Sequence, residues 1–331
     1  MKISTKALLA TLTLVGAGAV AHAHTTIDTS KPIKVAMVPK LVGLSVFKAN
    51  EKGAEMVAKK LNIHFLYTGP VTASAQGQVD IIKSLIARHF NVITITANDP
   101  TEPAPALERA MRAGIKVISY DSDVAPAARD FFIQDTSYPA IGKAMVESIA
   151  KAAGPDAKVA ILSSTPDATI QNAWLDAVRS YMKAHYPKMK ILTTQYGYSS
   201  ASRSLAAGLN ILQAYPDVNE IIAPDNAAEV GAAAAVVKLH KKGKVFVTGT
   251  SDPNAIRQYV KSGVIPEGIL WNEKKQGELI MYVARLAANN AIKANGSFTI
   301  PGLGHYTIKN KVIVFSKPLI FTAKNVDKYH F

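Results

Sequence analysis

Polar residues stand where β-branched runs end, and their side chains suit a hydroxyl-rich ligand. Val38-Pro39-Lys40 closes the first such run and presents Lys40 as a fixed cation and triple donor, or as an ordinary surface lysine. Asp121-Ser122-Asp123 closes another. A carboxylate can accept two hydroxyls at once, which makes Asp121 the candidate acceptor; Asp123 either joins it or braces the loop. Pro224-Asp225-Asn226 offers its backbone and the Asn226 amide. Gln171 and Asn172 fall on the first turn of a helix that Thr169 is expected to cap. Two aromatics accompany them: Phe47, on the first turn of a helix expected to be capped by Ser45, and Trp271, at a strand end. Each can stack on the apolar face of a small ligand or pack in the core. Trp174, Val178 and Tyr181 recur at helical spacing and read as core.

Reactive constellations are missing from the sequence. There is no G-x-S-x-G elbow, H-E-x-x-H motif or P-loop. Gly302-Leu303-Gly304 lacks the third glycine of a dinucleotide loop, and no pair of histidines has helical metal-ligand spacing. Zero cysteines exclude disulfides, thiolate metal sites and cysteine nucleophiles together. Binding without a metal or cofactor is the expected chemistry. The competing reading is an exported carbohydrate-active enzyme that uses Asp121 as general base.

The elements that must position these residues alternate. Strands are expected at 33–37, 63–67, 92–96, 116–120 and 130–133, with helices near 45–61, 75–89 and 103–113 between them. The rhythm restarts with strands at 158–162, 190–194, 220–223 and 244–247 and helices near 139–152, 170–184, 201–213 and 227–241. A helix at 253–261, a strand at 268–271, a helix from 276, a turn at Asn295-Gly296 and strands at 299–308 and 312–315 follow. Strand–helix alternation predicts parallel sheets covered on both faces. Residues 95–123 and 221–252 echo one another as strand, Asp-containing loop, helix, glycine, strand and a closing Ser-Asp. The expected fold is therefore α/β: two doubly wound parallel-sheet lobes with a cleft at the strand ends. The expected division is 33–134 plus 252–290 for the first lobe and 135–251 plus 291–331 for the second.

The 331 residues suit about two domains of ~100–200 residues each. Residues 1–23 read as a signal peptide: two early lysines, an apolar run to Val20, and a small-x-small site at Ala21-His22-Ala23. Cleavage leaves His24 first and lowers the formal charge from +14 to +12. No other stretch of ~18 apolar residues follows, and no cysteine offers a lipid anchor. The expectation is an exported, periplasmic monomer. Basic residues are dispersed rather than clustered, which reads as a solvated surface and not as a nucleic-acid interface.

Taken together, these features resemble the periplasmic sugar-binding proteins of ABC importers, the ribose-type (type I) clamshell family, with LsrB-type autoinducer-2-binding proteins as the nearest likeness. The stretches that carry the resemblance are 38–43, 105–111, Asp121-Ser122-Asp123, 193–198, 221–225 and 325–331. The resemblance implies that a small sugar-like ligand is held by Lys40, Asp121, Gln171 and the Pro224 backbone, then delivered to a membrane permease. It departs at two positions: an aspartate of the LsrB site falls on Ile170, and an alanine falls on Asn226. Residues 97–100 are more similar to rhamnose-binding relatives. The departures imply a preference for another sugar or polyol, or weaker binding of autoinducer-2.

Overall fold

The computed structural model describes residues 25–331, so the signal peptide expected at 1–23 lies outside the described residues. The first lobe begins with β1 (Ile33–Val38), α1 (Ser45–Ala58), β2 (Ile63–Tyr67), α2 (Ala75–Ala87), β3 (Val92–Ile95), α3 (Ala104–Arg112), β4 (Lys116–Tyr120) and β5 (Phe131–Gln134). These strands lie parallel in the order β5-β4-β3-β1-β2. β1, β3 and β4 are almost wholly buried, as expected of strands covered on both faces.

The second lobe contains α4 (Tyr138–Ala152), β6 (Lys158–Ser163), α5 (Thr169–His185), β7 (Lys190–Tyr196), α6 (Ala201–Ala214), β8 (Glu220–Ala223), α7 (Asn226–Lys238) and β9 (Phe246–Gly249). Its sheet runs β7-β6-β8-β9, all parallel. The echo seen in the sequence is structural: β3–α3–β4 and β8–α7–β9 each join adjacent parallel strands.

The expected division between the lobes is corrected after residue 252. α8 (Pro253–Ser262) and β10 (Gly268–Leu270) pack against α7 and β9 and belong to the second lobe. α9 (Glu273–Ala288) returns to the first lobe and packs on α1. β11 (Gly296–Ile300), β12 (Gly304–Lys309) and β13 (Val312–Val314) extend the first lobe's sheet, with Ile313 opposite Ile133 of β5. Of the terminal strands, β14 (Leu319–Phe321) alone joins the second lobe, antiparallel to β10. Alternation reveals that a strand exists but not which sheet edge it completes, because that pairing is long-range. The segment expected as one strand, 299–308, is a hairpin instead. Its turn lies at 301–303, where Gly302 has φ +81°.

Two caps also differ from expectation. Leu44 precedes α1 without a side-chain cap, and Ala168 precedes α5, leaving Thr169 as its first residue. Helices α1 and α9 touch backbone to backbone at Gly53 and Gly277. A Cβ on Gly277 would lie 2.0 Å from the Asn50 carbonyl oxygen. This contact seats the N-terminal half of α9 on α1.

Candidate functional site

All seven sequence-derived candidates line one cleft between the lobes. Lys40, Phe47 and Asp121 line it from the first lobe, Gln171, Pro224 and Asn226 from the second, and Trp271 from a crossover. The cleft encloses about 460 Å³, room for a monosaccharide-sized molecule.

Three strand ends converge on Asp121. Lys40 Nζ, just past β1, stands 3.6 Å from Asp121 Oδ2, and the Thr96 hydroxyl, just past β3, donates to the same oxygen at 2.7 Å. Asp121 has φ +55°, a left-handed conformation that turns its carboxylate off the end of β4. Gln78 braces the platform from α2. It donates to the carbonyls of Pro39 (3.0 Å) and Thr96 (2.8 Å) and accepts from Asn98 N (2.9 Å). Asn98 in turn donates to the Lys40 carbonyl at 2.7 Å. Asp123 takes a bidentate grip from Arg129 at 2.7 and 2.8 Å, so it braces the loop.

From the second lobe, Gln171 reaches the cleft from the first turn of α5. Its neighbours turn elsewhere: Asn172 donates to the Pro166 carbonyl at 2.9 Å, and Ile170 is 3% exposed within the second lobe's core. Ile170 is not among the residues that line the cleft, in contrast to the ligand-facing position that the resemblance implied. Adjacent helical residues point about 100° apart, which lets Gln171 line the cleft while Ile170 turns to the core. Asp167, in the loop before α5, is the carboxylate that lines the cleft here. Trp174, expected as core, is buried and lines the cleft as well; its ring meets Trp271 edge-on at 5.8 Å.

A buried polar network lies behind Trp271. Asn50 donates to Glu273 Oε2 at 2.9 Å and to Gln276 Oε1 at 3.1 Å, and Gln276 donates to Asp135 Oδ1. Asp135 sits on the crossover after β5. Burial first, then the charges of Asp121 and Glu273, push its carboxyl well above the usual range. Burial and Asp121 do the same to Glu273, against the hydrogen bond from Asn50. Gln78, Asn50, Gln276 and Glu273 were not singled out for the site. Their available signal was a polar side chain within an otherwise apolar helical stripe.

Two α/β lobes joined by crossovers, with polar strand ends and helix N-termini facing across a cleft, define a clamshell binding protein of type I. The chain belongs to the periplasmic binding protein domain family, whose sequence profile matches residues 35–292. Among solved structures, a sugar ABC transporter protein from Actinomyces odontolyticus is 33% identical, with a TM-score of 0.79 over 92% of this chain and 100% of that one. A solute-binding protein from Clostridium phytofermentas with bound L-rhamnose is 27% identical, with a TM-score of 0.85 over 90% and 98% of the two chains. LsrB from Clostridium saccharobutylicum in complex with AI-2 is 26% identical, with a TM-score of 0.84 over 90% and 100%.

Proposed function

We propose that this protein captures a small neutral sugar or polyol in the periplasm and delivers it to the membrane permease of an ABC importer. The observation that carries the reading is the opposition of two half-sites. Lys40 and Asp121 line one wall of the cleft, and Gln171, Pro224 and Asn226 line the other. Asp121 Oδ2 is occupied by Thr96 and Lys40, which leaves Oδ1 for a ligand hydroxyl. Phe47, Trp174 and Trp271 supply apolar surface for C–H edges. Asp99, Asp121, Asp167 and Asp225 against Lys40 make the lining acidic, which disfavours sugar acids and phosphorylated sugars.

A ligand bridging both walls favours the closed arrangement, because only differential contact shifts a conformational equilibrium. Rhamnose, other sugars and AI-2 all fit this chemistry. Ile170 lies outside the cleft lining and so presents no apolar surface against AI-2. Mass spectrometry of ligand released from the purified protein, followed by calorimetry with L-rhamnose, D-ribose and AI-2, tests the proposal. Micromolar or tighter binding of one of them supports it; no binding by any sugar or polyol, with a sugar acid or an amino acid released instead, overturns it. Export by the 1–23 signal peptide is part of the same reading, and N-terminal sequencing should find His24 first.

A further inference from the structure

Asp252 is buried at the start of α8 and does not line the cleft, yet it joins three elements. Its Oδ1 accepts from Ala255 N at 2.9 Å, capping α8. Its Oδ2 accepts from Asn226 Nδ2 at 2.7 Å, on the first residue of α7. The same Oδ2 accepts from Ser45 Oγ at 2.6 Å, on the first residue of α1 in the other lobe. Ser251 Oγ adds a bond to the Asn226 carbonyl oxygen at 3.2 Å, so both the backbone and the side chain of Asn226 are held.

An amide has one donor end and one acceptor end, and a carboxylate accepts only. With Nδ2 turned to Asp252, Asn226 keeps its Oδ1 for the cleft. We infer that Asp252 is the positioning residue that sets ligand specificity at Asn226: it makes this wall an acceptor of a ligand hydroxyl, and through Ser45 it couples that orientation to closure of the lobes. The inference rests on the sugar-binding reading and deepens it. Neither Asp252 nor Ser45 needs to touch the ligand.

Asp252→Asn separates this role from a merely structural one. Asparagine still caps α8 through its Oδ1. Its amide then donates where the carboxylate accepted, so the Asn226 amide must turn over and present N–H to the cleft. The probes are the best-binding sugar among L-rhamnose, D-ribose and D-arabinose, and its monofluoro analogues at each hydroxyl. Fluorine cannot donate. For wild type, the analogue altered at the hydroxyl facing Asn226 should bind roughly tenfold more weakly than the parent. In Asp252→Asn that penalty should vanish or reverse while the other analogues keep their ranking. An Asp252→Asn protein that melts like wild type and keeps the wild-type ranking overturns the inference.

Ser45→Ala supplies the second arm. It leaves the orientation of Asn226 alone and removes only the bond between lobes, so affinity should fall by the same factor for every probe. Unchanged affinity overturns the coupling. If wild type binds no sugar, the functional reading fails by itself, and small-angle scattering then judges the link. Ser45→Ala must enlarge the radius of gyration of the free protein, and an unchanged radius overturns it.

Discussion

Lys40 Nζ stands 3.6 Å from Asp121 Oδ2, although the two residues follow different strands, β1 and β4. β3 lies between those strands, and Thr96, just past its end, donates to the same Asp121 oxygen. The parallel sheet brings three successive strand ends to one point. A cation, a hydroxyl and a carboxylate are thereby oriented before any ligand arrives, which lowers the ordering cost of binding.

Asp121→Asn should keep the fold and lose most of the affinity. Asparagine tolerates the left-handed backbone at φ +55° better than alanine does. It removes the charge from hydrogen bonds worth ~1.5–3 kcal/mol, or roughly ten- to a hundredfold in Kd. Calorimetry with the released ligand reads the change, and an affinity within a few-fold of wild type would contradict the role of Asp121.

Ile170→Asp should destabilise the second lobe rather than retune the ligand. The side chain is 3% exposed among apolar neighbours, and an unpaired carboxylate there costs about 3 kcal/mol or more. Asp167→Ala, on the cleft lining, should instead change affinity with little loss of stability. Urea unfolding and calorimetry on both variants separate the two effects. The opposite pattern would return Ile170 to the ligand site.

Gly277→Ala should cost roughly 1–3 kcal/mol of stability by overpacking. The added Cβ would meet the Asn50 carbonyl at 2.0 Å, so α1 and α9 must separate. The melting temperature should fall, with ligand affinity falling as well because α9 carries Glu273 and Gln276. A variant that melts with wild type would show that the helices part freely.

Stability should decline from mildly acidic to mildly alkaline pH. Burial pushes the carboxyls of Glu220 and Glu229 from 4.5 up to about 8, and the Glu229 charge adds to the rise at Glu220. The unfolded chain ionises near 4.5, while the folded chain holds these protons until about pH 8. The folded state's advantage is therefore complete below the unfolded value and is withdrawn as pH rises through the folded one. Chemical unfolding between pH 5 and 9 should show this slope, and Glu220→Gln with Glu229→Gln should reduce it. An equal slope in the double variant would assign the effect elsewhere.

Local chemistry was enough to find most of the strands, the helices and the candidates at the strand ends, although it ran β11 and β12 together and missed β14. Each is written in a short window: β-branched runs, 3.6-residue stripes, and polar residues such as Lys40, Asp121 and Asn226 just beyond them. In a parallel α/β sheet those ends must share one edge, so their convergence followed from the pattern. Other features arose only when distant segments met. β13 chose β5, and the first lobe, through a pairing that no local window contains. A rotation of about 100° per helical residue put Gln171 in the cleft and Ile170 in the core. Asp252 caps α8, a role not read from the sequence, and its hold on Asn226 and Ser45 exists only where three helix N-termini converge. Side-chain type is a property of the chain, whereas the direction of an amide is decided by the neighbour that the fold supplies.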